Sequence, residues 1–525
     1  MRQSIVASLA SSLALALSAC AADPEAMLPE PEPMPDAPLA PDVPDVDAPT
    51  PAVGLAVASP QARVIRGNVT SIDVNVMRSG GATGVITVSV EGLPTGVTAA
   101  GVTIADGMTT GSLELSGDMS LALGTYATVT VRAKAGALEA TQPLELHLTD
   151  PSGALDLTLG AGGMFSDNYA DKHDEIVRRV AMQPDGRILV AGEDQTGKTI
   201  FIARYLPDGA RDDSFGIGGM RSVGDGVNAP TTLALAPTAS GRILLVAKWN
   251  GATRVMAFTA TGATDTTYGT SGVLDLSKVG IGSFLASTAV IQADGTVLLA
   301  AMGVGTFDVV RVTPAGALDV AFDGDGKATP TFGSGTSFPL ALATTPTGEV
   351  VIAGAHNNTM YNSYAVARLT ADGAMDTTFS DDGKWVLDLG SASSFQRVTM
   401  MPDGRIALAG FYGANPQIAM LTPGGLLDVG FGQNGRVTAN GGVRALVPVE
   451  GGVIAVDNAN GSIVLEKRRL DGALDASFGN DGVVTKEYLG GAADAAVDGQ
   501  GRLVVATYLT SGLDLGDVGL ARFWN

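Results

Sequence analysis

GALDASFGNDG, residues Gly472 to Gly482, decides the fold because the chain writes it repeatedly. The other copies are GALDLTLGAGG (153–163), GARDDSFGIGG (209–219), GATDTTYGTSG (262–272), GALDVAFDGDG (316–326), GAMDTTFSDDG (373–383) and GLLDVGFGQNG (425–435). That makes seven copies, whose starts lie 47 to 57 residues apart. Each is followed by a short apolar strand, then by a strand ending in a turn such as QPDGR (183–187) or PDGR (402–405). A strong strand comes next, ILVAG (188–192) or IALAG (406–410), and then one such as IFIARY (200–205) or YAVARL (364–369). The pattern predicts four antiparallel strands per unit, the signature of propeller blades. A linear stack would need atypical caps at its ends, and none is visible; a ring of seven needs none.

The recurrent positions take physical roles from this frame. The first Gly suits a left-handed turn position. Phe215, Tyr268, Phe322, Phe379, Phe431 and Phe478, with Leu159 in the first copy, are expected as buried anchors between blades. Asp156, Asp212, Asp265, Asp319, Asp376, Asp428 and Asp475 recur at a fixed offset. Arg204, Arg311 and Arg368 stand five residues before the next motif and could pair with them. Ala257 and Met420 hold that place in two units where the Asp persists. A local role is therefore favoured, each Asp accepting hydrogen bonds from its own turn. The phase of the strands leaves the seventh blade one outer strand short. Residues 163–166 are expected to supply it by pairing with 519–523, which closes the ring.

With Gly, Asp, aromatic and Gly at these offsets, the region 153–525 resembles the delta-60 repeat family of bacterial exported proteins. That resemblance implies no particular activity.

Upstream, residues 53–150 alternate as antiparallel strands, with Ile72, Val74 and Val76 on one face and Ile86, Val88 and Val90 on another. Turns SGG (79–81), LPTG (93–96) and ADG (105–107) punctuate them, which predicts a β-sandwich. TVSVEGLPTGVTA followed by GSLEL resembles Ig-like modules of bacterial surface proteins, without the Cys-Trp-Cys core of antibody domains. The fold class expected is all-β, an Ig-like sandwich followed by a seven-bladed propeller over 151–525.

The first residues read as an address. Arg2 precedes an apolar run from Ile5 to Leu17, shorter than the ~20 residues a bilayer span needs. Leu17-Ser18-Ala19-Cys20 resembles the lipobox of bacterial lipoproteins. The resemblance implies removal of residues 1–19 and lipidation of Cys20, the only cysteine. Ala21 and Ala22 after it favour the outer membrane over inner-membrane retention. Residues 20–52 are Pro-rich and acidic without Lys or Arg, which predicts an extended stalk.

Composition bounds the function. The 525 residues carry a formal net charge of −22, which makes nucleic acid a poor partner. His147, His173 and His356 lie in unrelated parts without metal-ligand spacing and are expected in surface or loop positions. No nucleophile elbow, P-loop or dinucleotide fingerprint occurs. Asp323 with Asp325, and Asp381 with Asp382, place oxygens close together in tight turns. They are weak calcium candidates, because neither continues into an EF-hand pattern. No other cofactor is expected. The leading reading is a lipid-anchored binding scaffold of the cell envelope with a protein or glycan partner. The rivals are a propeller enzyme, a glycan hydrolase or lyase, and a purely structural surface protein.

Overall fold

The computed structural model describes residues 50–124, 126–167, 175–281, 284–357, 360–459, 461–487, 490–511 and 514–525. The signal segment, Cys20, nearly all of the Pro-rich linker and His173 lie outside the described residues. From Pro51 onward the chain forms one compact unit. It is built of strands, with one 3-10 turn at Leu276–Lys278 among the described residues.

The first region is two sheets face to face. One orders Ala52–Val57, Val69–Ser79, Thr110–Gly117 and Val97–Ala100; the other orders Gln61–Ile65, Leu138–Thr149, Tyr126–Ala135, Ile86–Glu91 and Val102–Ile104. Side-chain alternation produces this packing. Along Val69–Ser79, Ile72, Val74 and Val76 are buried while Asp73, Asn75 and Met77 face water. Val74 and Leu113 of one sheet share a core with Val131 and Leu146 of the other.

Seven four-stranded sheets follow. Blade 1 orders Glu175–Met182, Ile188–Asp194, Thr199–Tyr205 and Met220–Val223 from the axis outward. Blades 2 to 6 repeat this order, and each motif copy lies between third and fourth strands. The first strands touch one another in sequence and back to the start, so they line the central axis. The second strand is buried throughout because it has a blade on each side. In Ile188–Asp194, Ile188 and Val190 pack towards blade 7, and Leu189 and Ala191 towards blade 2. Seven apolar clusters of this kind sit between neighbouring blades.

Blade 7 is composite. Gly490–Val497, Leu503–Ser511 and Asp514–Phe523 are completed on the outside by Met164–Asp167. The added strand pairs antiparallel, Met164 with Ala521, Phe165 with Leu520, Ser166 with Gly519 and Asp167 with Val518. This is the closure expected from the strand phase, shifted by one residue towards Asp167. It satisfies backbone groups that an open edge would leave bare.

The sandwich rests on this closing blade. Trp524, almost fully buried, meets His147 edge-on at 6.0 Å, and His147 stacks on Tyr126 at 4.4 Å. Arg63 donates to the carbonyl oxygens of Asn525 and Asp150, and Gln500 Nε2 donates to Gly124 O at 3.0 Å. The expectation of surface or loop histidines is corrected here for the two described ones. His147 lies half-buried in a strand. His356 is buried in another, where its Nδ1 is 2.9 Å from Ser337 Oγ. Burial lowers the pKa of both, so each serves as a neutral ring rather than a surface cation.

Candidate functional site

Two sets of charged side chains compete for a functional reading: the motif carboxylates and a group at the central axis.

The motif Asp residues turn out to be joints. The local role is present: Asp212 Oδ1 accepts from the Ser214 amide at 3.1 Å and hydroxyl at 2.6 Å, and Asp376 does the same with Thr378. The other oxygen takes a cation in every blade, so a purely local role is corrected. Arg204 holds Asp212, Arg311 holds Asp319, Arg368 holds Asp376, Arg522 holds Asp156 and Lys467 holds Asp475. Where Ala257 and Met420 stand, the cation comes from the neighbouring strand. Arg242 reaches Asp265 at 2.7 Å and Arg405 reaches Asp428 at 2.8 Å, each from the end of its Gly-containing turn. Asp212 and Asp156 have both partners, Arg187 and Arg502 being the second ones. The signal was in the sequence: the final Arg of ASGR and PDGR appears in the two units that lack the strand Arg.

These pairs also fasten adjacent blades. Arg522 Nη1 donates to Pro207 O and Arg242 Nη1 to Pro314 O, each at 2.7 Å, and Arg405 Nη1 donates to Leu470 O at 3.0 Å. Several of the cations lie over the motif aromatic, as Arg204 does over Phe215 at 4.8 Å. Phe215, Tyr268, Phe322, Phe379, Phe431, Phe478 and Leu159 are all fully buried, each in a cluster shared by two blades. A cycle of backbone hydrogen bonds links each motif to the next, from Gly160 to Asp208 O through to Gly479, which donates to Ser152 O at 2.9 Å. Gly472 shows why the first motif residue lacks a side chain. Its φ is +83°, and a Cβ there would lie 2.6 Å from the Gly432 amide of the neighbouring blade. Burial pushes the Asp212 carboxyl up, but Ser214 and the two arginines outweigh that and hold it at about 2. A carboxylate held that low and paired on both oxygens acts as a structural joint, far from the neutral pKa that proton transfer at pH 7 needs.

The turn acids stand apart. Asp323, Asp325, Asp381 and Asp382 are exposed on blades 3 and 4. Asp325 and Asp382 accept amides of their own turns, from Lys327 at 2.8 Å and Lys384 at 3.0 Å. Among the described residues no three His, Cys, Asp or Glu side chains gather as a metal site would need.

The axis holds the second set. Most first strands carry a bulge near their midpoint, as between Val177 and Arg179, Phe395 and Arg397, and Ala492 and Asp494. A bulge frees carbonyls from the ladder and re-aims the next side chain. Arg179 fills that need in blade 1, donating to Arg178 O and to Leu233 O of blade 2, each at 2.7 Å. Arg397 does so in blade 5, donating to Gln396 O at 2.7 Å and to Arg444 O of blade 6. Asp494 of blade 7 accepts the Val180 amide of blade 1 at 3.1 Å. A cavity of about 270 Å³ lies among these strands. Its walls include Arg178, Arg179, Arg397, Arg444, Ile176 and Tyr508. Burial, then repulsion from Arg179 and Arg444, brings the Arg397 pKa down to about 10. Burial pushes the Asp494 carboxyl up, against the pull of Arg179, the Val180 amide and Arg397. Sequence reading missed this group, because its members lie in four blades at positions the motif does not mark.

Comparison with known proteins adds the propeller assignment and little else. Residues 183–215 and 345–379 match the family described as a domain of unknown function (DUF5122) beta-propeller. No curated protein matches the chain. Among solved structures, one of the two prolyl endopeptidases of a structural and mechanistic study aligns at 13% identity and TM-score 0.41, over 66% of this chain and 47% of its own. A Lactobacillus plantarum protein aligns at 15% and 0.39, over 67% and 96%. Prolyl oligopeptidase B from Galerina marginata aligns at 9% and 0.33, over 65% and 56%. The chain thus spans about half the length of these two peptidases, and likeness at this level carries no argument about activity.

Proposed function

We propose that this protein is a binding scaffold of the bacterial cell envelope, held to the outer membrane by a lipid on Cys20. In this reading residues 1–19 are a signal peptide and 20–52 a stalk. The Ig-like sandwich is a spacer, and the propeller is the part that meets a protein or glycan partner. The observation that carries it is the axial cavity. A chain of net charge −22 concentrates four arginines on one opening, while its repeated carboxylates are all spent on joining blades.

Two measurements test the reading. Cys20→Ser should move the protein from the membrane fraction to the soluble one or block its processing. Unchanged fractionation with the signal still removed would refute the anchor. The full chain should also co-sediment with isolated envelope fractions, and retention no greater than that of an unrelated acidic protein would refute the scaffold.

A further inference from the structure

The axial cavity is built on an unbalanced set of charges. Arg178 is neutralised by Glu193, its Nε 2.8 Å from Oε2. Arg179 and Arg397 act on Asp494, which lies beside the cavity, and Arg444 acts on Asp457 of blade 6. Three guanidinium groups against two carboxyl groups leave the opening with net positive charge.

The guanidinium groups are also held in place. Nε and Nη1 of Arg179 are committed to carbonyls of blades 1 and 2, and those of Arg397 to carbonyls of blades 5 and 6. That leaves the Nη2 donors of both groups for another acceptor. Arg444, on blade 6 between them in ring order, is exposed and gives no side-chain hydrogen bond among the described residues. Tyr508 adds a hydroxyl to the wall. Fixed donors in a shielded opening are arranged for an anion, because the charge–charge attraction there is weakened less than in open water.

We infer that this cavity binds an oxyanion group, a phosphate monoester or a paired carboxylate, borne on a larger ligand. The inference rests on the binding reading above and names the chemistry of its ligand. An anion complements the net positive charge, and the planar edges of arginine suit bidentate contact with oxygen pairs. A volume of about 270 Å³ admits the charged group and its first linking atoms, so the rest of the ligand must lie outside.

The test is calorimetric titration of the full chain with inorganic phosphate and, separately, with succinate, at pH 7.5 and constant ionic strength set with chloride. Binding of either one supports the inference, and which binds tells a phosphate ligand from a dicarboxylate. Arg444→Gln should weaken binding by about tenfold, equal to ~1.4 kcal/mol, and should fold normally because its side chain gives up no hydrogen bond. Arg397→Gln should abolish it, and Arg469→Gln, on the exposed outside, should change nothing. Absence of binding by both anions, or binding unaltered by Arg444→Gln in the folded protein, would overturn the inference. If envelope co-sedimentation persists in that case, the oxyanion assignment falls and the scaffold stands; if both are lost, the binding reading falls as well.

Discussion

The sandwich and the propeller answer the same problem, burying β-strands, in different ways. The sandwich closes on one apolar core, in which Val74, Leu113, Val131 and Leu146 come from both sheets. Most of its charged groups stay on the outside, as in the exposed pair Arg132 and Glu91; the exception is Asp150, buried beside Arg66 just past its last strand. The propeller has no single core. It divides its apolar area among seven interfaces, and each needs a polar joint because the connecting turns also meet there. Buried ion pairs are therefore frequent in the propeller and rare in the sandwich. The lesson is that a ring relies on its joints, while a sandwich relies on its filling.

Removing part of the ring is the sharpest test of that contrast. Deleting 519–525 takes away the partner of Met164–Asp167 and the Trp524 contact. The propeller should lose its cooperative thermal transition altogether, read by circular dichroism and protease resistance. Fraying of blade 7 with six blades intact would break the comparison. Next in size is the joint itself. Asp156→Ala leaves the buried Arg522 without a carboxylate and Arg502 with Asp498 alone, and should cost about 3–5 kcal/mol in denaturant unfolding. Asp265→Ala frees only Arg242, which is more exposed, and should cost about 1 kcal/mol. Equal losses would show that the joints are not graded by burial.

In the sandwich the expected weak point is apolar. Leu146→Ala should cost about 2–4 kcal/mol through the cavity it leaves, while the propeller transition keeps its midpoint. A matching fall in the propeller would mean the two regions unfold as one.

The one stabilising change concerns Asp457. This carboxylate of blade 6 is fully buried, and neither of its oxygens has a hydrogen-bond partner; the Gly441 amide lies near without completing one. Burial first, and then the neighbouring Glu466, raise its pKa to about 7 against only weak pulls from the Gly441 amide and Arg444. The folded state therefore holds a proton that the unfolded chain releases above its ordinary value near 4. Stability should fall as pH rises from about 4 to 7. Asp457→Asn should flatten that slope and raise the melting temperature at pH 8. A wild-type stability that does not decline over this range, together with an unstabilised variant, would show that the carboxylate is better solvated than its burial implies.

How much of this was legible depends on whether a position repeats. The blade count, the strand order and the closing strand follow from seven copies of one motif, since each copy reports the same local geometry. The sandwich follows from alternation along single strands. Asp212 and Phe215 were visible as recurrent positions, but the cation facing each Asp was only half visible. It moves between two strands that lie side by side in space and are distant in sequence, as Arg204 and Arg242 show. Arg179, Arg397, Arg444 and Asp494 were not legible. They occupy related register positions in different blades but differ in residue type, and only ring closure brings them together. The described histidines were misplaced because isolated residues carry no periodicity to show which way they face.

The pairing of Asp167 with Val518 also sets a schedule. A chain made from its N-terminus can assemble six blades in turn as they emerge. Met164–Asp167 must meanwhile wait as an open edge, until the residues that cover it have been polymerised. If export delivers the chain no faster than synthesis, that wait is roughly 20 to 70 s, far longer than a hairpin needs to form. For that interval the nascent chain exposes an unpaired strand at a fixed place. It is there, and not in any finished blade, that a chaperone has most to guard and that a neighbouring copy still being made has a chance to intrude.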